Sequence, residues 1–538
     1  RSRMNIFDFR DDLTTDYAEY VRSFIRVGTD DVRDVVDAAL EDQRLWPEPI
    51  VQLNPSYAPG GFVSDLTQSG RLHPTAAKVF QRGKDASPTE LGKELRLYHH
   101  QVRAIETAQS GRPYVVTTGT GSGKSLTYIV PIVDHVLKNG SGKGIQAIIV
   151  YPMNALANSQ LGELEKFLGY GFGGKAPVTV RRYTGQESRD DRRAIIENPP
   201  DILLTNYVML ELILTRQTEK QLVRSTNDLR FLVFDELHTY RGRQGADVAM
   251  LVRRVRERMG GKDLQCIGTS ATMSSDGGVE ERRRAVADVA TRVFGTPVQA
   301  SDIIGETLQR VTPEIDMADP ALGGRLAASV ANLDVLLASS YEVFVRDPLA
   351  SWIETQLGVE RDDASGTLVR AKPKRLVGST GLAVELAALA GCSELAAGAA
   401  LRRMLLAGYE KRDPDPDGVG APAFAFRLHQ FLSRGEAVYA SLRPPGERHV
   451  TLTALQRVPE RPEDVLLPLA FCRECGHEFY TVWRHEDDGG EVAYLPRTLH
   501  QMHAEAGDEP GFLYLDRDDP WPDDDEAALL ERVPEEWQ

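Results

Sequence analysis

The stretch Thr117-Thr118-Gly119-Thr120-Gly121-Ser122-Gly123-Lys124-Ser125 leaves few options for the chain around it. An apolar run, Tyr114-Val115-Val116, precedes it, and a helix-like segment from Leu126 to Leu137 follows. Strand, glycine-rich loop and helix start make an anion cradle. The glycines let backbone N–H groups converge, the helix N-terminus adds partial positive charge, Lys124 adds a full charge, and the Ser125 hydroxyl is placed to hold Mg²⁺. The usual G-x-x-x-x-G-K-[ST] pattern opens on glycine, whereas here the first position is Thr118. Gly119, Gly121 and Gly123 remain, so the loop chemistry survives. Thr118, Gly119, Thr120, Gly121, Ser122, Gly123, Lys124 and Ser125 are therefore the candidate ATP phosphate-binding residues.

Around this loop the pattern is short apolar runs alternating with helical segments: Tyr114 to Thr117, Ala147 to Tyr151, Val178 to Tyr183, Ile202 to Thr205, Phe231 to Phe234 and Cys266 to Gly268. Continuous β-branched runs separated by helices predict a parallel sheet covered on both faces, with ligands beyond the carboxyl ends of the strands. The fold class is thus α/β, and the phosphate loop sits where that rule places a ligand. A second chemical element, Leu232-Val233-Phe234-Asp235-Glu236-Leu237-His238, lies 111 positions downstream of Lys124. One strand-end carboxylate, Asp235, can hold Mg²⁺ on the phosphates, and the next, Glu236, can orient or deprotonate a water.

These residues, in this order, resemble superfamily 2 DExH-box helicases. Lys124 and Ser125 match the family's first motif, Asp235-Glu236-Leu237-His238 its second and Ser270-Ala271-Thr272 its third. Tyr98-His99-His100-Gln101 is similar to the upstream element whose glutamine reads adenine, with Tyr98 as a base stack. Tyr151 to Ala157, containing Asn154, together with Thr184-Gly185 and Thr205-Asn206, resembles the motifs that track one nucleic-acid strand. The resemblance implies a RecA-like ATP-binding lobe, with His238, Ser270 and Thr272 coupling nucleotide state to strand grip. Hydroxyls, amides and N–H groups just after strands suit phosphate contacts that read no bases. The wording Asp235 to Gly242 and Thr205 to Glu211 resembles the bacterial subgroup that includes mitomycin-repair helicases and the DISARM and Druantia phage-defence helicases.

Four parts are expected: an N-terminal accessory domain (1–90), the RecA-like lobe (91–280), a helical, winged-helix-like insertion (281–445) and a β-rich module with an acidic tail (446–538). In the insertion, three short helices (Leu382 to Ala388, Ser393 to Ala397, Ala400 to Leu406) precede a strand at Phe424 to Leu428. Arg402, Arg403 and the basic stretch Arg370, Lys372, Lys374 and Arg375 give it either a DNA-facing or a solvated surface. Cys472-Arg473-Glu474-Cys475 is one half of a zinc knuckle, which His477, His485, His500 or His503 would have to complete.

The net charge of -16 does not exclude a nucleic-acid partner, because the acidity is local. Residues 91–280 carry 25 Lys and Arg against 20 Asp and Glu, whereas 486–538 carry 3 against 17. That acidic end reads as a solvated linker, or as a competitor for a basic groove. Four cysteines argue against a disulfide framework, and the lack of an apolar run of about 18 to 20 residues argues against a membrane span, so a cytoplasmic location is expected. The G-x-D and Q-x-x-G-R-x-G-R elements of a second RecA lobe are not found, so that lobe is expected beyond residue 538 or on a partner subunit. The expected function is an ATP- and Mg²⁺-dependent motor acting on DNA, with RNA as an alternative substrate and a nucleotide-sensitive binding scaffold as the alternative class.

Overall fold

The structure, a computed structural model, describes residues 4–24, 27–84, 91–119, 121–271, 278–362, 364–414, 420–433, 437–473, 476–487, 490–498, 501, 508–515, 522 and 526–532. The chain forms two compact units, one of Pro55–Glu314 with Glu354–Ala371, the other of Arg1–Asn54, Ile315–Ile353 and Lys372–Gln538.

The first unit carries the sheet expected from the alternating runs. Its strands are β1 (Tyr114–Thr117), β2 (Ala147–Tyr151), β3 (Val180–Arg182), β4 (Ile202–Asn206), β5 (Leu229–Phe234), β6 (Gly260–Ser270) and β7 (Ile303–Gly305). All pair in parallel, in the order β7-β1-β6-β5-β2-β4-β3. Helix α1 (His99–Gln109) leads into β1, and the longer helices between the strands are α2 (Leu126–Asn139), α3 (Asn154–Gly169), α4 (Arg189–Glu197), α5 (Tyr207–Thr215), α6 (Gly242–Arg258) and α7 (Val279–Phe294).

Alternate side chains of each strand enter opposite cores. Tyr114, Val116, Ile149, Tyr151 and Val233 pack with Ile129 and Val133 of α2 on one face. Val115, Ile148, Val150, Leu232 and Phe234 pack with Val248, Val252 and Phe294 on the other. Burial on both faces is why these strands read as unbroken apolar runs. The α/β, RecA-like class is confirmed. The seventh strand, β7, was not anticipated: three residues on the edge carry too little pattern in a region that reads as helical.

The two units cut across the four-part division read from the sequence. Val79, Phe80 and Leu95 lie in the same core as Tyr114, which ties the loop-rich stretch after Pro55 to the sheet. Conversely, Ile50–Leu53 is the central strand of a small antiparallel sheet in the second unit, between Lys374–Arg375 and Phe426–His429.

Where three short helices were expected in the insertion there are two, Leu382–Ala390 and Glu394–Glu410. Gly398 does not break the second. It is buried, and a Cβ added there would stand 3.0 Å from a methyl of Val377, so the glycine serves close packing. Arg402 lies 3.8 Å from Asp11 and 5.5 Å from the Phe7 ring, and Arg403 pairs with Asp334.

The second unit also holds the β-rich part, built around Arg461–Phe471 and Glu478–Glu486. The stretch after Glu486 is not only a solvated linker: Val492–Pro496 and Glu509–Leu513 both pair antiparallel with Glu478–Glu486. Their docking is helped by Arg497, whose guanidinium sits 5.7 Å from the Trp483 ring and 5.2 Å from the Phe512 ring. Asp518, Asp519, Trp521 and Asp523 to Asp525 lie outside the described residues. No single described helix is long and apolar enough to cross a membrane.

Candidate nucleotide-binding site

The phosphate loop leaves β1 and enters α2 as its sequence requires. Gly121 (φ 84°) and Gly123 (φ 68°) take left-handed backbone that other residues adopt only with strain. Thr118 explains the departure from the usual pattern, because its hydroxyl lies 2.6 Å from that of Ser122 and both residues are fully buried. A glycine at 118 would lose this internal brace. Thr120 lies outside the described residues.

Behind the loop stands the start of α1. The Gln101 amide donates to the Gly123 carbonyl at 3.0 Å while its carbonyl accepts the Tyr98 N–H at 2.8 Å. His100 Nε2 lies 3.0 Å from the Ser122 carbonyl, and burial pulls its pKa down, so it donates as a neutral ring. Gln101 thus holds the cradle itself, a role its sequence context did not suggest.

Lys124 and the acidic motif meet at the carboxyl ends of the strands. Lys124 Nζ is 3.1 Å from Glu236 Oε1. Glu236 closes β5 in left-handed backbone (φ 52°, ψ 53°), a conformation that costs a non-glycine residue about 1 to 3 kcal/mol. Its N–H is held by the Thr269 hydroxyl at 3.1 Å, and the same hydroxyl donates to Asp235 Oδ1. Burial pushes the Asp235 carboxyl above its ordinary range, with the Thr269 hydrogen bond opposing and the charge of Glu236 adding to the rise. Such a carboxylate is poised to gain from a cation.

His238 Nδ1 is 3.2 Å from Glu236 Oε2 but also accepts the Ala271 N–H at 3.2 Å. With Nδ1 accepting that N–H, Glu236 Oε2 is left buried with no hydrogen-bond partner. Its accepting capacity is unused, which is what a water-orienting carboxylate needs. Ser270 is buried, 3.4 Å from His238 Nδ1, and Thr272 lies outside the described residues. Thr269, which touches both acids, was missed. The signal was present, since it ends the same strand one residue before the recognised Ser270.

The residues expected to track a strand come together at the ends of three neighbouring strands, β2, β4 and β3. Asn206 Nδ2 donates to Asn154 Oδ1 at 2.8 Å and to the Thr184 carbonyl at 3.1 Å, while its Oδ1 accepts the Met209 N–H and caps α5. Thr205 is fully buried with its hydroxyl on the Tyr183 carbonyl, so it supports the row from behind. The N–H groups of Thr184 and Gly185 both donate to Glu187, at 2.9 and 2.8 Å.

The Cys472 N–H donates to the His477 carbonyl in a tight turn, the His477 ring stacks on Tyr514, and His485 pairs with Asp508. Cys475, His500 and His503 lie outside the described residues. Among the described residues no group of three or more His, Cys, Asp or Glu could hold a metal, so zinc gains no support.

A parallel sheet with a glycine-rich loop after one strand, and an Asp-Glu pair facing its lysine from another, defines a nucleoside triphosphate-binding lobe of the P-loop type. Comparison with known proteins makes this specific: residues 98–278 match the family model "DEAD/DEAH box helicase", and the chain carries a DEAD/DEAH box helicase domain. Among curated proteins it is similar to the Druantia protein DruE of Escherichia coli, 25% identical over 46% of this chain and 19% of the relative. It is similar to the ATP-dependent helicase YprA of Bacillus subtilis, 33% identical over 33% of this chain and 23% of the relative. The ATP-dependent helicase hrq1 of Schizosaccharomyces pombe is 31% identical over 33% of this chain and 16% of the relative. The chain thus covers less than a quarter of each of these relatives. Among solved structures, the DUF1998 helicase MrfA bound to DNA and AMPPNP is 20% identical over 56% of this chain and 39% of that one, with a TM-score of 0.37.

Proposed function

We propose that the chain is the ATP-binding first lobe of a DNA helicase or translocase of the defence or repair kind. The observation that carries this is the meeting of Lys124 with Glu236, whose second oxygen is buried and unpartnered, beside an Asp235 whose carboxyl is destabilised by burial. These residues fit an ATP–Mg²⁺ complex. Gly121, Ser122, Gly123 and Lys124 would cradle the phosphates, Ser125 and Asp235 would hold Mg²⁺, and Tyr98 with Gln101 would face adenine. Bound Mg²⁺ would draw charge from the phosphate oxygens. Glu236 would orient the attacking water through Oε2, while Thr269 fixes both acids and His238 with Ser270 links the acidic turn to β6.

Asn154, Thr184, Gly185 and Asn206 would contact the phosphates of a single strand, with Thr205 supporting them. Their support is the alignment of three strand ends into one row. Hydrolysis should be slow until a second lobe supplies arginines to the transferring phosphoryl group.

The test is binding of a fluorescent ATP analogue with and without Mg²⁺, beside ATPase assays with and without single-stranded DNA. Lys124→Ala should weaken nucleotide binding by about 2 to 3 kcal/mol, the scale of a lost charged hydrogen-bond partner. Unchanged affinity would refute the site, and full DNA-stimulated turnover by the chain alone would refute its dependence on a second lobe.

A further inference from the structure

Beyond the residues that resemble known motifs, a second charged cluster leans on the phosphate loop from the far side of β1. Glu306 directly follows β7, whose last residue, Gly305, is level with Thr117 at the end of β1. One Glu306 oxygen accepts the Gly119 N–H at 3.2 Å. The carboxylate also holds Arg370 bidentately, Nε at 2.6 Å and Nη2 at 3.0 Å, and Nη2 donates to the Tyr57 hydroxyl at 2.9 Å. Arg370 ends the hairpin of Val359–Arg361 and Leu368–Arg370, far along the sequence from the loop it reaches. In the sequence it reads as the first of a basic surface run with Lys372, Lys374 and Arg375.

Gly119 shows how closely Arg370 approaches. Unlike Gly121 and Gly123 it has no left-handed backbone, so its lack of a side chain is not a matter of φ. A Cβ added there would stand 3.0, 3.3 and 3.4 Å from Nη2, Cζ and Nε of Arg370. Such similar distances to three atoms place it over the flat face of the guanidinium. A side chain at 119 would press on that guanidinium, which measures how closely the arginine lies against the loop.

The cluster also has an aromatic wall. Tyr57 packs 5.0 Å from Tyr98 and 5.4 Å from His100, whose Nδ1 is buried without a hydrogen-bond partner. The metal-side acids, Asp235 and Glu236, close β5, three strand spacings away from β7, or about 14 Å at roughly 4.8 Å each. A nucleotide with its phosphates on the loop and its metal toward Asp235 would direct its nucleoside toward Tyr98, Tyr57 and Arg370.

We propose that Tyr57, Glu306 and Arg370 form the nucleoside end of the nucleotide pocket, with Arg370 as the contacting cation and Glu306 as its positioning residue. The Nε and Nη2 edge of Arg370 is already taken by Glu306 and Tyr57, so what it has left to offer a nucleoside is the rest of its planar cation, while Tyr57, buried behind it, holds the guanidinium in place. The proposal rests on the nucleotide-site reading above, and its test separates the two.

Calorimetry on the 538-residue chain with Mg²⁺–ADP and, separately, Mg²⁺–tripolyphosphate is the experiment. Arg370→Ala should weaken ADP about tenfold, the scale of one charge-assisted hydrogen bond, and leave tripolyphosphate unchanged. Arg370→Lys should recover part of that loss, and Glu306→Gln should weaken ADP to a smaller degree. Equal loss of ADP and tripolyphosphate would make Arg370 a phosphate ligand and overturn the proposal. So would unchanged ADP affinity in a variant whose melting temperature falls, which is the signature of a hairpin pin. Tighter ADP binding by Glu306→Gln would overturn it too, by showing the carboxylate to be a competitor. Should Arg370→Ala not fold, Tyr57→Phe keeps the ring and removes the hydroxyl that Arg370 grips; it should weaken ADP severalfold, and unchanged affinity there counts against the proposal. Lys124→Ala serves as the separate control: if it leaves both ligands bound as before, the nucleotide site itself is wrong.

Discussion

Replacing Thr269 by valine keeps the shape of the side chain and removes one hydroxyl, so the change isolates what that hydroxyl does. It donates to the buried Asp235 carboxylate and accepts the N–H of Glu236, a residue held in left-handed backbone. A hydrogen bond to a charged group contributes about 1.5 to 3 kcal/mol, and an unsatisfied backbone N–H adds about 1 kcal/mol or more. The expected loss for Thr269→Val is therefore about 3 kcal/mol, which would lower a urea midpoint by roughly 1 M at a slope of about 3 kcal/mol per molar. Because both acids lose their anchor, the part of ATP-analogue affinity that depends on Mg²⁺ should fall as well, and Thr269→Ser should restore both quantities. A valine variant with wild-type stability and wild-type Mg²⁺ dependence would show that the hydroxyl organises nothing.

The Asp235 carboxyl titrates above its ordinary value because it is buried, so the native chain holds that proton more tightly than the unfolded chain and its ionisation costs stability as pH rises above about 3.8. Asp235→Asn should accordingly raise the thermal midpoint at neutral pH without nucleotide, while losing Mg²⁺-dependent binding; a lowered midpoint would contradict the sign. In the second unit the opposite case holds. Arg448, with its side chain 2% exposed, bonds Asp31 and Glu478 and holds the Asp31 carboxyl well below the usual carboxylate range. Arg448→Met should cost about 3 to 5 kcal/mol by leaving buried acids unpaired. The Asp31 contribution is complete above the ordinary value of 3.8 and is lost as pH falls below it, so urea midpoints between pH 6 and pH 3 should converge for wild type and variant. Parallel midpoints across that range would remove Asp31 from the account.

How much of this was legible before the structure depends on where each signal sits. Strands β1, β2, β4 and β5 are buried on both faces, so their apolar runs declare them. Lys124, Ser125, Asp235 and Glu236 are set by motifs whose chemistry is local. Residues that act across the sequence were silent. Thr269 is an ordinary strand threonine until the fold brings it to Asp235. Arg370 is one basic residue in a run of four until the hairpin carries it to Gly119. Gln101 was legible as a polar residue near the site, but its bonds to the loop carbonyls depend on how α1 packs. The substitution at Thr118 reads in the sequence only as a departure that leaves the loop chemistry intact, and its contact with Ser122 appears only in the structure.

The three-residue strand β7 bears on how this protein can be handled. The family match ends at residue 278, while β7 begins at Ile303 and completes the sheet beside β1. A fragment trimmed to the matched residues would leave β1, the strand that feeds the phosphate loop, as a bare sheet margin of valines. Open margins of that kind recruit other chains. Sequence homology therefore marks the motif-bearing segment of this lobe but not the whole of its sheet. A boundary for this unit that runs from Pro55 and includes Glu354–Ala371 keeps β7 and Arg370 with the sheet, where one placed at residue 278 removes both.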